Sequence, residues 1–154
     1  MTAGNRVFID TNVLIYANVA ESPLHDVALA RLNALHDSET ECWLSRQILR
    51  EFLATLSRPQ AFQKPKPVST IVKRVRYLEQ HFQIADADSS VTRRLLELVS
   101  SIPIGGKQIH DANIVATMLA NDIFSLLTHN TTDFQRFAGY IKILPLQDTS
   151  GVTE

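Results

Sequence analysis

Short apolar runs alternate along this chain with longer stretches of helical periodicity, and that alternation constrains the fold more than any other feature. Val7 to Ile9, "ECWLS" (41–45), "FQIA" (82–85), "FSLLTH" (124–129) and "IKILPL" (141–146) are brief and apolar, as buried strands are. Between them lie stretches with the 3.6-residue repeat of helices. "NVLIYANVA" follows the first strand at once, and Val27, Leu29, Ala30, Leu32, Ala34 and Leu35 form a broad stripe within 25–37. Ser45 is placed to cap "RQILREFLATLS", which should stop before Pro59, and Ser69 is predicted to cap "TIVKRVRYLEQH". Pro103, Gly105 and Gly106 separate "SSVTRRLLELVSS" from the strongly apolar "HDANIVATMLAND". Strands that alternate with helices predict an α/β fold, a parallel sheet covered on both faces with right-handed crossovers.

A length of 154 residues, 45% hydrophobic and 20% charged, suits one domain, which we place at residues 1–146 with a C-terminal tail at 147–154. The formal charge of −1 excludes a global nucleic-acid or membrane-surface signature, so an anionic partner must be drawn locally. Cys42 stands alone in apolar surroundings, and "MTAGNRVF" lacks the apolar segment of a leader. With no apolar run long enough to span a bilayer, the expectation is a cytoplasmic protein with no membrane partner.

The chemistry lies in the acids. In an open parallel sheet the ligand crevice lies outside the carboxyl ends of the strands, and Asp10 follows the first strand immediately. Asp10 could equally be a helix cap. Asp111 projects among Ile114, Val115 and Met118, inside the apolar arc of its helix, where a lone charge is costly; His110, Asn113 and Thr117 hold the polar side. Glu51 lies at the edge of the stripe made by Ile48, Phe52 and Leu56, and Asp133 follows "SLLT" by a short turn. Carboxylates gathered this way stay ionised with a cation between them, and an all-oxygen set favours Mg2+ or Mn2+. The five histidines have no metal-ligand spacing, although His110 and His129 each neighbour a candidate acid, and no P-loop is present.

The segments "VFIDTNVLIYA", "LREF", "IHDANIVATML" and "LLTHNTTDF", in this order across residues 7–134, resemble the PIN-domain ribonucleases, above all the VapC-type toxins of VapBC toxin–antitoxin pairs. The resemblance implies a three-layer α/β/α sandwich, Mg2+- or Mn2+-dependent endoribonuclease activity, homodimerisation and inhibition by a VapB-like antitoxin. It makes Asp10, Glu51, Asp111 and Asp133 the catalytic acids, with Asp10, Asp111 and Asp133 on the metal and Thr11, Asn12, Thr128 and Asn130 as polar support. One departure is Asn130, where many relatives carry an acid.

RNA would need a basic approach to four acids. Arg46, Arg50, Arg58, Lys64, Lys66, Lys73, Arg74 and Arg76 fall in one stretch against Glu51 alone, either as a phosphate track or as a solvated face. Three rival functions stand beside a toxin: a housekeeping PIN nuclease, a non-catalytic PIN-like RNA- or protein-binding module, and an aspartyl-phosphate phosphatase with Asp10 as nucleophile. The last wants a second aspartate where Asn12 stands. The apolar segments "VLIYANVA" and "TIVKRVRYL" serve mainly the core.

Overall fold

The structure, a computed structural model, describes residues 5–59 and 66–147. Five strands, β1 (Arg6–Ile9), β2 (Glu41–Ser45), β3 (Gln83–Ala85), β4 (Ser125–Thr128) and β5 (Lys142–Pro145), form one wholly parallel sheet in the order β3-β2-β1-β4-β5. Among the described residues seven α-helices lie between or beside them: α1 (Thr11–Asn18), α2 (His25–Asp37), α3 (Arg46–Leu56), α4 (Val68–His81), α5 (Ser89–Ser101), α6 (Gln108–Ala120) and α7 (Thr131–Phe134). A 3-10 turn, Gln135–Phe137, extends α7.

Successive residues of a strand point to opposite faces, so a strand buried at every position is covered on both sides. Val7, Phe8 and Ile9 are all buried, as are Leu126, Leu127 and Thr128. The architecture is therefore the expected three-layer α/β/α sandwich. Its core is filled by these strands together with Val13 and Leu14 of α1, Ile48, Phe52 and Leu56 of α3, and Ile114, Val115 and Met118 of α6. Among the described residues no helix is long and apolar enough to cross a membrane.

Local chemistry sets the element ends. Ser45 caps α3 as predicted, its hydroxyl accepting from Ile48 N at 3.3 Å, and α3 stops at Leu56, three residues before Pro59. Ser69 is not a cap. Helix α4 begins two residues earlier than expected, at Val68, with Pro67 extended at its N-cap and the Pro67 carbonyl accepting from Thr70 N and Ile71 N. Proline fits there because its fixed φ suits a helix entry and its ring nitrogen needs no acceptor. The apolar residues of "VLIYANVA" serve the core, with Val13, Leu14, Ile15 and Val19 buried, and Ile71 and Leu78 of α4 do the same. Most of the three-proline loop, including Lys64, and all but the first residue of the 147–154 tail lie outside the described residues.

The strand order places the site. From β1 the chain steps outward to β2 and β3, then returns to add β4 and β5 on the other flank. The reversal lies between β1 and β4, the switch point where an open α/β sheet parts its loops. Asp10 leaves the end of β1 there, with its N–H bonded to Leu127 O of β4 at 3.0 Å.

Candidate active site

Asp10 does both things the sequence allowed. Its Oδ1 accepts from Thr11 N at 2.8 Å and so caps α1. Its Oδ2 accepts from Thr128 Oγ1 at 2.7 Å and Asn12 Nδ2 at 3.3 Å, which ties β1 to β4 across the switch point. The side chain is almost wholly buried, and burial pushes its carboxyl up to about 6; the charges of Glu51 and Asp111 add to the rise, while the bonds from Thr128 and Thr11 oppose it.

Glu51 is held from two sides, by Thr11 Oγ1 at 2.8 Å on Oε1 and by Gln47 Nε2 at 3.1 Å on Oε2. Asp111, in the first turn of α6, is half-buried and accepts no hydrogen bond among the described residues. Its carboxyl is also raised, first by burial, then by the charges of Asp133 and Glu51; Arg136 and His110 pull the other way. Asp10, Glu51, Asp111, Asn12 and Asn130 line one open pocket of about 490 Å3, whose apolar wall is Ile15, Tyr16, Ile114 and Phe134. Asp133 is exposed and does not line this pocket; it stands outside and reaches Asp111 through its charge.

The polar support is built as a chain. Thr128, fully buried, donates to Asp10 and accepts from Asn130 N at 3.0 Å, while Asn12 Oδ1 accepts from His129 N at 3.1 Å. Asn12 therefore works as an amide, with both ends engaged by neighbouring groups, in the place where a phosphatase needs an acid. His129 rests edge-on against Tyr16 with ring centroids 5.6 Å apart.

Sequence reasoning missed Gln47. Its Nε2 reaches both Glu51 and His110 O (3.0 Å), and its Oε1 accepts from Asn113 Nδ2 at 2.7 Å, so one side chain fastens α3 to α6 behind the acids. Of the supposed polar side of α6, His110 faces solvent as expected, whereas Asn113 is half-buried against Gln47. Thr117 is buried, its hydroxyl returned to Asn113 O at 2.8 Å, because α6 is enclosed on almost every side.

The basic run also looks different in space. Arg46 pairs with Glu79 and Asp86, acids that the sequence places beyond the run, and Arg74 donates to Asn18 O and Oδ1. A second cavity, about 400 Å3, opens beside α1, α2 and α4 among Leu29, Leu32, Tyr77 and Phe82, but no carboxylate lines it. Cys42 borders it, and burial pushes its thiol up to about 11, leaving it protonated and inert.

The PIN domain family model matches residues 7–140. The chain belongs to the PIN domain family. Members of this family are generally nucleases. No curated protein matches the sequence. Among solved structures, the fold is similar to a chain of VapBC2 from Rickettsia felis bound to a DNA fragment from their promoter (TM-score 0.67, 17% identity, 93% of this chain and 99% of that one). It is similar also to a chain of VapBC-1 from nontypeable Haemophilus influenzae (TM-score 0.67, 16%, 93% and 99%). A third likeness is to VapC20 of Mycobacterium tuberculosis, a Sarcin-Ricin loop cleaving toxin (TM-score 0.62, 15%, 90% and 99%).

The donors of this PIN domain suit a hard cation. They are all oxygens, two of the acids are raised partly by their neighbours' charge, and Asp111 is a half-buried acceptor with no partner among the described residues. Among those residues no three His, Cys, Asp or Glu side chains are grouped closely enough to hold a metal ion by themselves; Asp10, Glu51 and Asp111 share the pocket without forming a complete ligand set.

Proposed function

We propose that this PIN domain is a Mg2+- or Mn2+-dependent endoribonuclease and the toxin of a type II toxin–antitoxin pair. The observation that carries the reading is the meeting of Asp10, Glu51 and Asp111 in one pocket at the switch point, with Asp10 buried and raised to about 6. Support for the partner comes from the similar chains solved in VapBC complexes, and for the substrate from VapC20, a toxin that cleaves the Sarcin-Ricin loop. We extend the same reading to a homodimer, to a cytoplasmic location and to a single domain at residues 1–146.

Asp10 and Asp111 would hold the ion, with Asp133 at the edge. A bound divalent cation supplies charge neutralisation at the phosphate and a lowered pKa for water. Thr128 and Asn12 fix the Asp10 carboxylate, so it would hold a cation without reorganising. Glu51, held by Thr11 and Gln47, would orient the attacking water and take its proton. Attack at phosphorus forms one P–O bond and breaks the bond to the 3′-oxygen, which takes up a proton. The products carry a 5′-phosphate and a 3′-hydroxyl.

The test is cleavage of structured RNAs by purified protein in Mg2+ or Mn2+, with Asp10→Asn and Asp111→Asn alongside. We expect cleavage to vanish in both variants and in EDTA; activity that survives either change refutes the metal-site mechanism. Expression with and without any small neighbouring gene tests the toxin assignment, and harmless accumulation of active enzyme counts against it.

A further inference from the structure

A site walled by carboxylates repels the phosphates it must admit, so a cation has to face it. Among the described residues, no basic residue between Arg46 and Arg76 lines the acid pocket, and Arg46 and Arg74 are already engaged elsewhere. Arg136 lies just outside that lining, on the 3-10 turn that continues α7. It follows Asp133 by three residues, a spacing that sets two side chains side by side on a tight helical turn. The alternate positions, Phe134 and Phe137, are 1% and 0% exposed with rings 6.3 Å apart, and they clamp this turn to the core. Phe134 is also part of the pocket wall, so the turn borders the site.

Arg136 is exposed and forms no ion pair or hydrogen bond among the described residues, Asp133 included. Through Phe134 its turn is seated on the same pocket that Asp10 and Asp111 line. An arginine on a clamped turn, with no ion pair or hydrogen bond among the described residues, has a donor fork to offer a ligand. The anion that fork matches is a phosphodiester, which it can grip through two parallel bonds. Resting on the ribonuclease reading of the same pocket, we propose that Arg136 anchors an RNA backbone phosphate beside the acids and so draws the strand across them.

The test compares wild type, Arg136→Gln, Arg136→Lys and Lys142→Gln. Lys142 starts β5 at the amino end of the sheet, away from the site, and serves as the control. Binding of a short fluorescent single-stranded RNA is read by anisotropy in EDTA from ~50 to ~200 mM salt, and cleavage of the same RNA in Mg2+. Arg136→Gln should weaken binding about tenfold at low salt, flatten the salt slope by about 0.7 and raise KM more than it lowers kcat. Arg136→Lys should keep the slope and recover part of the affinity, as a point charge without the fork. The proposal is overturned if Arg136→Gln behaves like Lys142→Gln, or if its whole effect falls on kcat with the salt slope intact. Wild-type protein that cleaves no RNA overturns the ribonuclease reading itself, a result distinct from cleavage that ignores Arg136.

Discussion

Replacing Asp10 by Asn should stabilise the metal-free protein at neutral pH, although it removes the central acid of the site. The Asp10 carboxyl is raised from 3.8 to about 6 by burial, so the folded state holds its proton more tightly than the unfolded chain does. Its favourable contribution is complete below the unfolded value of 3.8 and is lost as pH rises through about 6. At 1.36 kcal/mol per unit, the ionised group costs the native state about 3 kcal/mol at pH 7.5. Asn removes that cost and keeps the Oδ1 acceptor that caps α1. Its amide nitrogen cannot accept from Thr128 and Asn12 as Oδ2 does, a loss of about 1 kcal/mol. The net gain at pH 7.5 is roughly 2 kcal/mol, or about 4–8 °C in Tm for a chain of this length, whereas below pH 4 the two proteins should differ by about 1 kcal/mol. Denaturant and thermal unfolding in EDTA across pH 4 to 8 measure the swing. A difference that stays flat over this window, or an Asn variant less stable at pH 7.5, refutes the account of Asp10 as a buried charge. Saturating Mg2+ should then stabilise the wild type and leave the variant where it was.

Thr128→Val keeps the shape of a fully buried side chain but removes the donor to Asp10 and the acceptor of Asn130 N; we expect a loss of about 2 kcal/mol and a higher pKa for Asp10, read as a shift of the stability–pH curve to higher pH. Gln47→Leu leaves Glu51, His110 O and Asn113 short of partners, so it should cost about 1–3 kcal/mol in denaturant unfolding and lower RNA cleavage by freeing Glu51. Ser45→Ala removes the cap of α3 and should cost about 1 kcal/mol in thermal unfolding with cleavage retained.

Most element ends, and the positions of Asp10 after β1 and Asp111 in the first turn of α6, were readable from the sequence because they rest on local chemistry. The end of α3 follows from Pro59, and Asp111 announced itself as a charge within an apolar arc. What escaped depends on where separate helices come to rest. Gln47 reads as an ordinary polar residue of a helix start, and its role exists only because α6 arrives behind it with His110 and Asn113, more than sixty positions later. Thr117 reads as solvent-facing until α6 is seen to be enclosed. Arg46 counts as free charge along the sequence, yet folding brings Glu79 and Asp86 to it. Asp133 sits near the others in the chain's logic but outside their pocket in space.

Asp10 also separates a structural acid from a functional one. As N-caps, Asp and Asn are nearly equivalent, and Asn12 shows that an amide is tolerated two residues away. A chain that needed only the cap would lose nothing by carrying Asn and would avoid about 3 kcal/mol of buried charge at neutral pH. Here the charge is kept, Thr128 and Asn12 are aimed at it, and Glu51 and Asp111 are set where they raise it further. Stability is surrendered where the loops after β1 and β4 part and a pocket opens, as the proposed cation site requires.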